Sequence, residues 1–171
     1  MNKKLMKILI VGLGSMGKRR IRNLQKLGYT QLLGFDLRED RILETKKKYK
    51  ISCFSNFKNA LNEKPTIMII ATPPHLHKEY AKKAIEKNIH VFLEVNLLTN
   101  HVQSILKFSQ KSSSIVCSSN TMRFHPVVKK LKNLVEQKKI GKIYSIHHHV
   151  GHFLPNWHPW ENYKNFFVSR K

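Results

Sequence analysis

Residues 8–17 read Ile8-Leu9-Ile10-Val11-Gly12-Leu13-Gly14-Ser15-Met16-Gly17. The rest of the chain is best understood outward from this stretch. Leu5 to Val11 is apolar and branched apart from Lys7, which predicts a buried strand. Gly12 to Gly17 then spells G-x-G-x-x-G, a tight turn. Ile21, Leu24 and Leu27 follow at three-residue spacing until Gly28, which predicts a helix. Gln31 to Asp36 predicts a second strand, and its last residue lies 19 positions beyond Gly17. A glycine string alone is a weak signal. Between a strand and a helix, with an acid at the end of the next strand, it points to dinucleotide binding.

The chemistry explains the residue types. Gly12 allows the tight turn, Gly14 lets the backbone approach a pyrophosphate, and Gly17 lets helix and strand pack closely. The helix start, at Ser15 and Met16, offers unpaired N–H groups and the positive end of a dipole to phosphates. Asp36 is placed to accept hydrogen bonds from the adenosine ribose hydroxyls, although an acid there can also cap a helix. A carboxylate repels a 2′-phosphate, so NAD is favoured over NADP. Arg38, two residues on, softens that preference.

The same alternation continues. Arg38 to Tyr49 reads as a lysine-rich surface helix, Ile51 to Phe54 as a short strand, and Asn56 to Asn62 as a short helix. Thr66 to Ala71 reads as a central parallel strand ended by Pro73-Pro74. Leu76, Tyr80, Ala81, Ala84 and Ile85 form a helical stripe, and His90 to Glu94 reads as a strand. Val102, Ile105 and Leu106 mark a helix, and Ser114 to Cys117 the last strand of the run. This is the pattern of an α/β doubly wound parallel sheet, a Rossmann domain over residues 1–119.

The character changes at Asn120. Val127, Leu131, Leu134 and Val135 predict one amphipathic helix ending near Gly141, and Ile143 to Val150 alternates like a strand. An aromatic tail follows. Residues 120–171 are therefore expected to be the beginning of a truncated, incomplete α+β domain for substrate or oligomerisation.

Composition narrows the class. Apolar residues make up 41% of the 171, so a packed core is affordable and wholesale disorder is excluded. Lys and Arg number 32 against 10 Asp and Glu, a net charge of +22. The lysines are scattered along the chain, so composition bias is preferred over a nucleic-acid role. Lys18, Arg19, Arg20 and Arg22 are read mostly as a solvated helix face. Cys53 and Cys117 lie in apolar segments and are expected to be buried, reduced thiols of a cytoplasmic protein. The basic and apolar start lacks a small-residue cleavage site, so no signal peptide is expected, and no apolar run is long enough for a membrane span.

Further motifs give the chain a resemblance. Ala71-Thr72-Pro73-Pro74-His75-Leu76-His77, Glu94, Arg123-Phe124-His125-Pro126, Gly141-Lys142-Ile143 and Leu154-Pro155-Asn156-Trp157-His158-Pro159-Trp160 join the glycine turn and Asp36. Together they make the chain similar to the N-terminal part of Gfo/Idh/MocA-type oxidoreductases, which act on sugars, inositols and sugar derivatives with NAD(P). The resemblance implies that the Thr72 to His77 stretch lines the nicotinamide side of the cofactor, that Ala71, Thr72 and Pro73 bind it, and that His77 touches its ribose. It implies that Glu94 is the Glu of the family's Glu-Lys-Pro motif. Here the motif reads Glu94-Val95-Asn96, and Val95 neither carries charge nor donates a proton. The family's catalytic part of the second domain is not matched either. Cofactor binding without efficient turnover is expected, and no catalytic residue is assigned. The alternative is a non-catalytic nucleotide-binding fragment, or a subunit completed by another chain.

Asn120, Arg123, Trp157 and His158 are candidate substrate residues for a small sugar-type ligand. His147, His148, His149 and His152 lack an acidic or cysteine partner at ligand spacing, so no metal site is expected. The exposed aromatic tail is expected to favour self-association.

Overall fold

The computed structural model describes residues 5–95, 98–157, 159, 162–165 and 169. Asn96, His158, Trp160, Phe166 and Phe167 lie outside the described residues. Residues 1–119 and 120–171 form two compact units.

The first unit alternates strand and helix. In order it contains β1 (Ile8–Val11), α1 (Ser15–Lys26), β2 (Leu32–Phe35), α2 (Glu39–Tyr49), β3 (Ser52–Phe54) and α3 (Phe57–Asn62). It continues with β4 (Ile67–Ile70), α4 (His77–Ile85), β5 (His90–Leu93), α5 (Thr99–Ser109) and β6 (Val116–Ser118). The six strands lie in the order β3-β2-β1-β4-β5-β6, and every pairing is parallel. The sequence of elements reverses direction between β1 and β4, the place where ligands bind in such sheets.

Strand periodicity explains why β1 is apolar throughout. Successive side chains point to opposite faces, and both faces are covered. Leu9 and Val11 join Leu33, Phe35, Met68 and Ile70 in one core, closed by Ala60 of α3, Tyr80, Ala81 and Ala84 of α4, and Ile105 of α5. Ile8 and Ile10 join Leu13, Leu32, Ile69 and Cys53 in the other, closed by Ile21 of α1 and Ile42 of α2. Phe35, Phe57 and Tyr80 meet edge to face, with centroids 4.9–6.0 Å apart.

The differences from expectation are local and physical. β1 starts at Ile8, and Leu5 is exposed. Cys53 is buried as expected, with its thiol pushed up to about 11 mainly by burial. Cys117, on β6, is exposed, contrary to the expectation of a buried thiol. Lys18, Arg20 and Arg22 are not a simply solvated face. Lys18 pairs with Glu44, Arg20 with Glu94, and an Arg22 guanidinium N–H donates to the Tyr49 hydroxyl at 3.1 Å.

The second unit begins with a 3-10 turn at Thr121–Phe124, then α6 (Pro126–Glu136), which carries proline in its first turn. α6 stops short of Gly141. Lys138 adopts the left-handed conformation, and the Lys138 and Lys139 N–H groups close back on the carbonyls of Val135 and Leu134. A short α7 (Leu154–Trp157) follows. Residues 143–150 form no strand, despite their alternation. A strand needs a partner for its N–H and C=O groups, and the described residues supply none. Val127, Leu131, Val135, Ile146 and Phe153 are exposed.

One buried polar residue holds the carboxyl edge of β4. His77, the first residue of α4, is wholly buried, and its Nε2 lies 2.7 Å from the Thr72 carbonyl oxygen. That contact makes Nε2–H the donor and leaves Nδ1 enclosed without a partner. Burial holds this imidazole below the ordinary histidine value, against the opposing pull of the Thr72 bond and of Glu94. The folded state therefore resists a proton that the unfolded chain takes up near pH ~6.5. This contribution to stability is complete above that pH and is lost on acidification.

Two predictions follow from this packing. At Gly17 a Cβ would sit 1.9 Å from the Gly12 carbonyl oxygen, so Gly17→Ala should cost about 3 kcal/mol or more in urea unfolding. Unfolding measured from pH 7.5 to 5.5 should show stability falling with acid, by up to about 1.4 kcal/mol per pH unit from this group. His77→Gln keeps an N–H donor toward Thr72 and should flatten that slope.

Candidate functional site

The glycine turn links β1 to α1 along the carboxyl edge of the sheet. Gly12 has φ +93°, and a Cβ there would lie 2.8 Å from the Ala71 carbonyl oxygen. The turn therefore lies directly against the end of β4. A Cβ at Gly14 would meet only the Arg41 guanidinium, at 3.7 Å and beyond, so the backbone at this point is open to a ligand. Gly14 precedes α1 without a side-chain cap, and no acidic residue occupies the first turn. The N–H groups of Ser15, Met16 and Gly17 are thus left for an anion. This fits a pyrophosphate.

Asp36 follows β2 and is buried. Its Oδ2 accepts the Leu13 N–H at 2.7 Å, and its Oδ1 accepts the Arg38 N–H at 2.9 Å. The carboxylate thereby pins the glycine turn to the second strand. A carboxylate has about four acceptor positions, so capacity for ribose hydroxyls remains. The cap of α2 is Arg38, not Asp36. The Arg38 guanidinium makes a two-pronged pair with Asp40, at 3.0 and 2.6 Å, and this hydrogen bonding lowers the Asp40 carboxyl below its usual range. Arg41 stands 3.5 Å from Asp36 Oδ2. No motif announces Arg41, whose place beside the turn depends on how α2 packs.

Ala71, Thr72 and Pro73 follow β4. The Ala71 N–H donates to Val11 at 2.8 Å, and the Thr72 hydroxyl oxygen is enclosed without a partner. His77 lies behind this loop rather than on its surface. Glu94 follows β5, is buried, and its N–H donates to Ile70 at 3.0 Å. Its Oε1 pairs with Arg20 of α1, a contact spanning 74 residues that local pattern does not reveal. Val95, next to it, is exposed.

The structure thus gathers the turn, Asp36, Ala71 to Pro73 and Glu94 along one edge of one sheet. Asn120, Arg123 and Trp157 belong to the second unit and are exposed. The Arg123 N–H donates to Asn120, and Trp157 stacks with His152 at 6.5 Å. Among the described residues, no cluster of three or more His, Cys, Asp or Glu could hold a metal ion. No helix among them is long and apolar enough to cross a membrane.

Comparison with known proteins agrees with this geometry. The chain is 30% identical over 142 residues to myo-inositol 2-dehydrogenase of Thermotoga maritima, covering 80% of this chain and 42% of that protein. It thus spans about two fifths of that relative. The structure of myo-inositol 2-dehydrogenase from Lactobacillus plantarum superposes with TM-score 0.75 at 24% identity, over 82% of this chain and 43% of the other. The WlbA dehydrogenase from Bordetella pertussis, solved with NADH and UDP-GlcNAcA, superposes with TM-score 0.78 at 19% identity, over 84% and 45%. Residues 6–119 match the oxidoreductase family with an NAD-binding Rossmann fold. On its glycine turn, its strand order and this match, the chain belongs to the Gfo/Idh/MocA oxidoreductase family and carries that family's nicotinamide-dinucleotide-binding domain.

Proposed function

We propose that the first unit binds NAD in preference to NADP, for an oxidoreductase acting on an inositol or a sugar derivative. The buried Asp36 carboxylate, held against the glycine turn, carries this reading. It places a fixed negative charge where a 2′-phosphate would have to sit. Arg38 does little to offset it, because its guanidinium is turned to Asp40. The names of the relatives support the substrate class, and the NADH in the Bordetella pertussis structure supports the cofactor.

The residues divide the work. The Gly12–Gly17 turn and the α1 N-terminus hold the pyrophosphate, with Ser15 and Met16 contributing N–H groups. Asp36 holds the adenosine ribose. Ala71, Thr72 and Pro73 border the nicotinamide half, with His77 fixing the Thr72 carbonyl from behind. When bound, the dinucleotide supplies hydride chemistry at its nicotinamide ring. Val95 cannot move the hydroxyl proton that must accompany hydride transfer, so turnover is slow. That observation favours a second reading, a nucleotide-binding protein that does not turn over. Asn120, Arg123 and Trp157 belong to the substrate side in the first reading only. The exposed apolar side chains of the second unit favour association with another copy or another chain. A cytoplasmic setting suits the two free thiols.

Calorimetric titration of the chain with NADH and NADPH, in parallel, tests the reading. One-to-one binding of NADH, about tenfold or more tighter than NADPH, is expected. Asp36→Asn keeps the acceptor toward Leu13 but removes the charge, and should narrow that ratio. A folded sample that binds neither nucleotide overturns the reading. Steady-state NADH formation with inositols and sugars then separates the two readings: measurable turnover supports the oxidoreductase, and its absence supports the binding protein.

A further inference from the structure

Only two acidic residues are buried among the described residues, Asp36 and Glu94. Their positions are related. In the order β3-β2-β1-β4-β5-β6, β2 flanks the central pair on one side and β5 flanks it on the other. Asp36 directly follows β2 and Glu94 directly follows β5, so each half of the sheet carries one buried carboxylate at the equivalent place. The two halves of such a sheet each take one mononucleotide. Asp36 belongs to the adenosine half, so Glu94 belongs to the nicotinamide half.

The two carboxylates are held differently. Asp36 is fixed by backbone N–H groups. Glu94 is fixed by Arg20, which projects from the helix that follows the phosphate turn. Arg20 Nε contacts Glu94 Oε1, its Nη2 donates to the Ser119 hydroxyl at 3.2 Å, and its guanidinium carbon lies 5.1 Å from the centre of the Phe92 ring. Ser119 is itself anchored, its N–H donating to Leu93 at 2.7 Å. One planar fork thus clasps the ends of β5 and β6 and stacks on β5, which a lysine ammonium does not reproduce. Glu94 Oε2 makes no hydrogen bond among the described residues. A carboxylate with one oxygen clamped and the other unengaged has a fixed direction and spare acceptor capacity.

We propose that Arg20 is a positioning residue, aiming the Glu94 carboxylate at the hydroxyl-bearing nicotinamide half of the bound dinucleotide. This rests on the NAD reading above. Arg20 touches no ligand; it acts through Glu94. It also supplies the cation beside Glu94 in a chain whose neighbouring residue is Val95. The ion pair is overall neutral, so it leaves no net charge beneath the ring.

Binding of NADH and of ADP to the purified chain tests this, because ADP carries the adenosine and the pyrophosphate but not the nicotinamide ribose. Arg20→Met should weaken NADH about tenfold and leave ADP unchanged. Glu94→Gln, which keeps the side-chain volume, should show the same selective loss and carries the test if Arg20→Met does not fold. Arg20→Lys should recover part of the NADH affinity. NADH binding unchanged in both Arg20→Met and Glu94→Gln would overturn the proposal. So would a parallel loss of NADH and ADP, which would make Arg20 only a brace for α1. Wild-type chain that binds ADP but gains nothing from the nicotinamide half overturns it too. Wild-type chain that binds neither nucleotide fails the NAD reading first.

Discussion

Helix α1 leaves strand β1 at close quarters because Gly17 has no Cβ. A methyl group at that position would overlap the Gly12 carbonyl oxygen, 1.9 Å away. The close approach sets the direction of α1, and much follows from it. The helix N-terminus is brought to the sheet edge with its N–H groups uncapped. Ile21, one turn on, is driven into the core. Arg20, three residues beyond Gly17, is carried over the second half of the sheet, where it reaches Glu94 and Ser119.

The charge distribution gains a meaning in this light. Acidic residues are scarce, at 10 against 32 basic ones. Pairs such as Lys82–Glu86, Lys83–Glu79 and Lys132–Glu136 join exposed side chains, and such pairs contribute little. Among the described residues, the two carboxylates removed from water both lie on the carboxyl edge of the sheet. Burying a carboxylate is costly unless it is paired and hydrogen-bonded, and both of these are. Their placement fits the demands of a ligand better than those of stability alone.

Most of the first unit was legible in the residues. Val11 ends an apolar run at Gly12, and Ile70 ends one shortly before Pro73-Pro74, so strands and helices could be placed within a few residues. The turn and Asp36 were legible because their spacing reflects one rigid strand–turn–helix–strand unit. Arg20 and Arg41 were not, because their roles depend on contacts between elements far apart in sequence. Cys53 and Cys117 lie on the two edge strands, yet one is buried and the other exposed, a difference that local composition does not carry. The alternation of residues 143–150 misled for a related reason: a pleated pattern makes a strand only where another strand receives it.

On the proposed function, a single ligand bridges both halves of the sheet edge, from Asp36 to Glu94. Amide NMR spectra of the isotopically labelled chain, recorded during addition of NADH, test it most directly. The account predicts that the amides of Leu13 to Gly17, Asp36, Thr72 and Glu94 shift together along one saturable curve. Shifts confined to lysine-rich outer faces such as Lys46 to Lys48, growing without saturation, would contradict it and mark only the attraction of an anion to a basic protein.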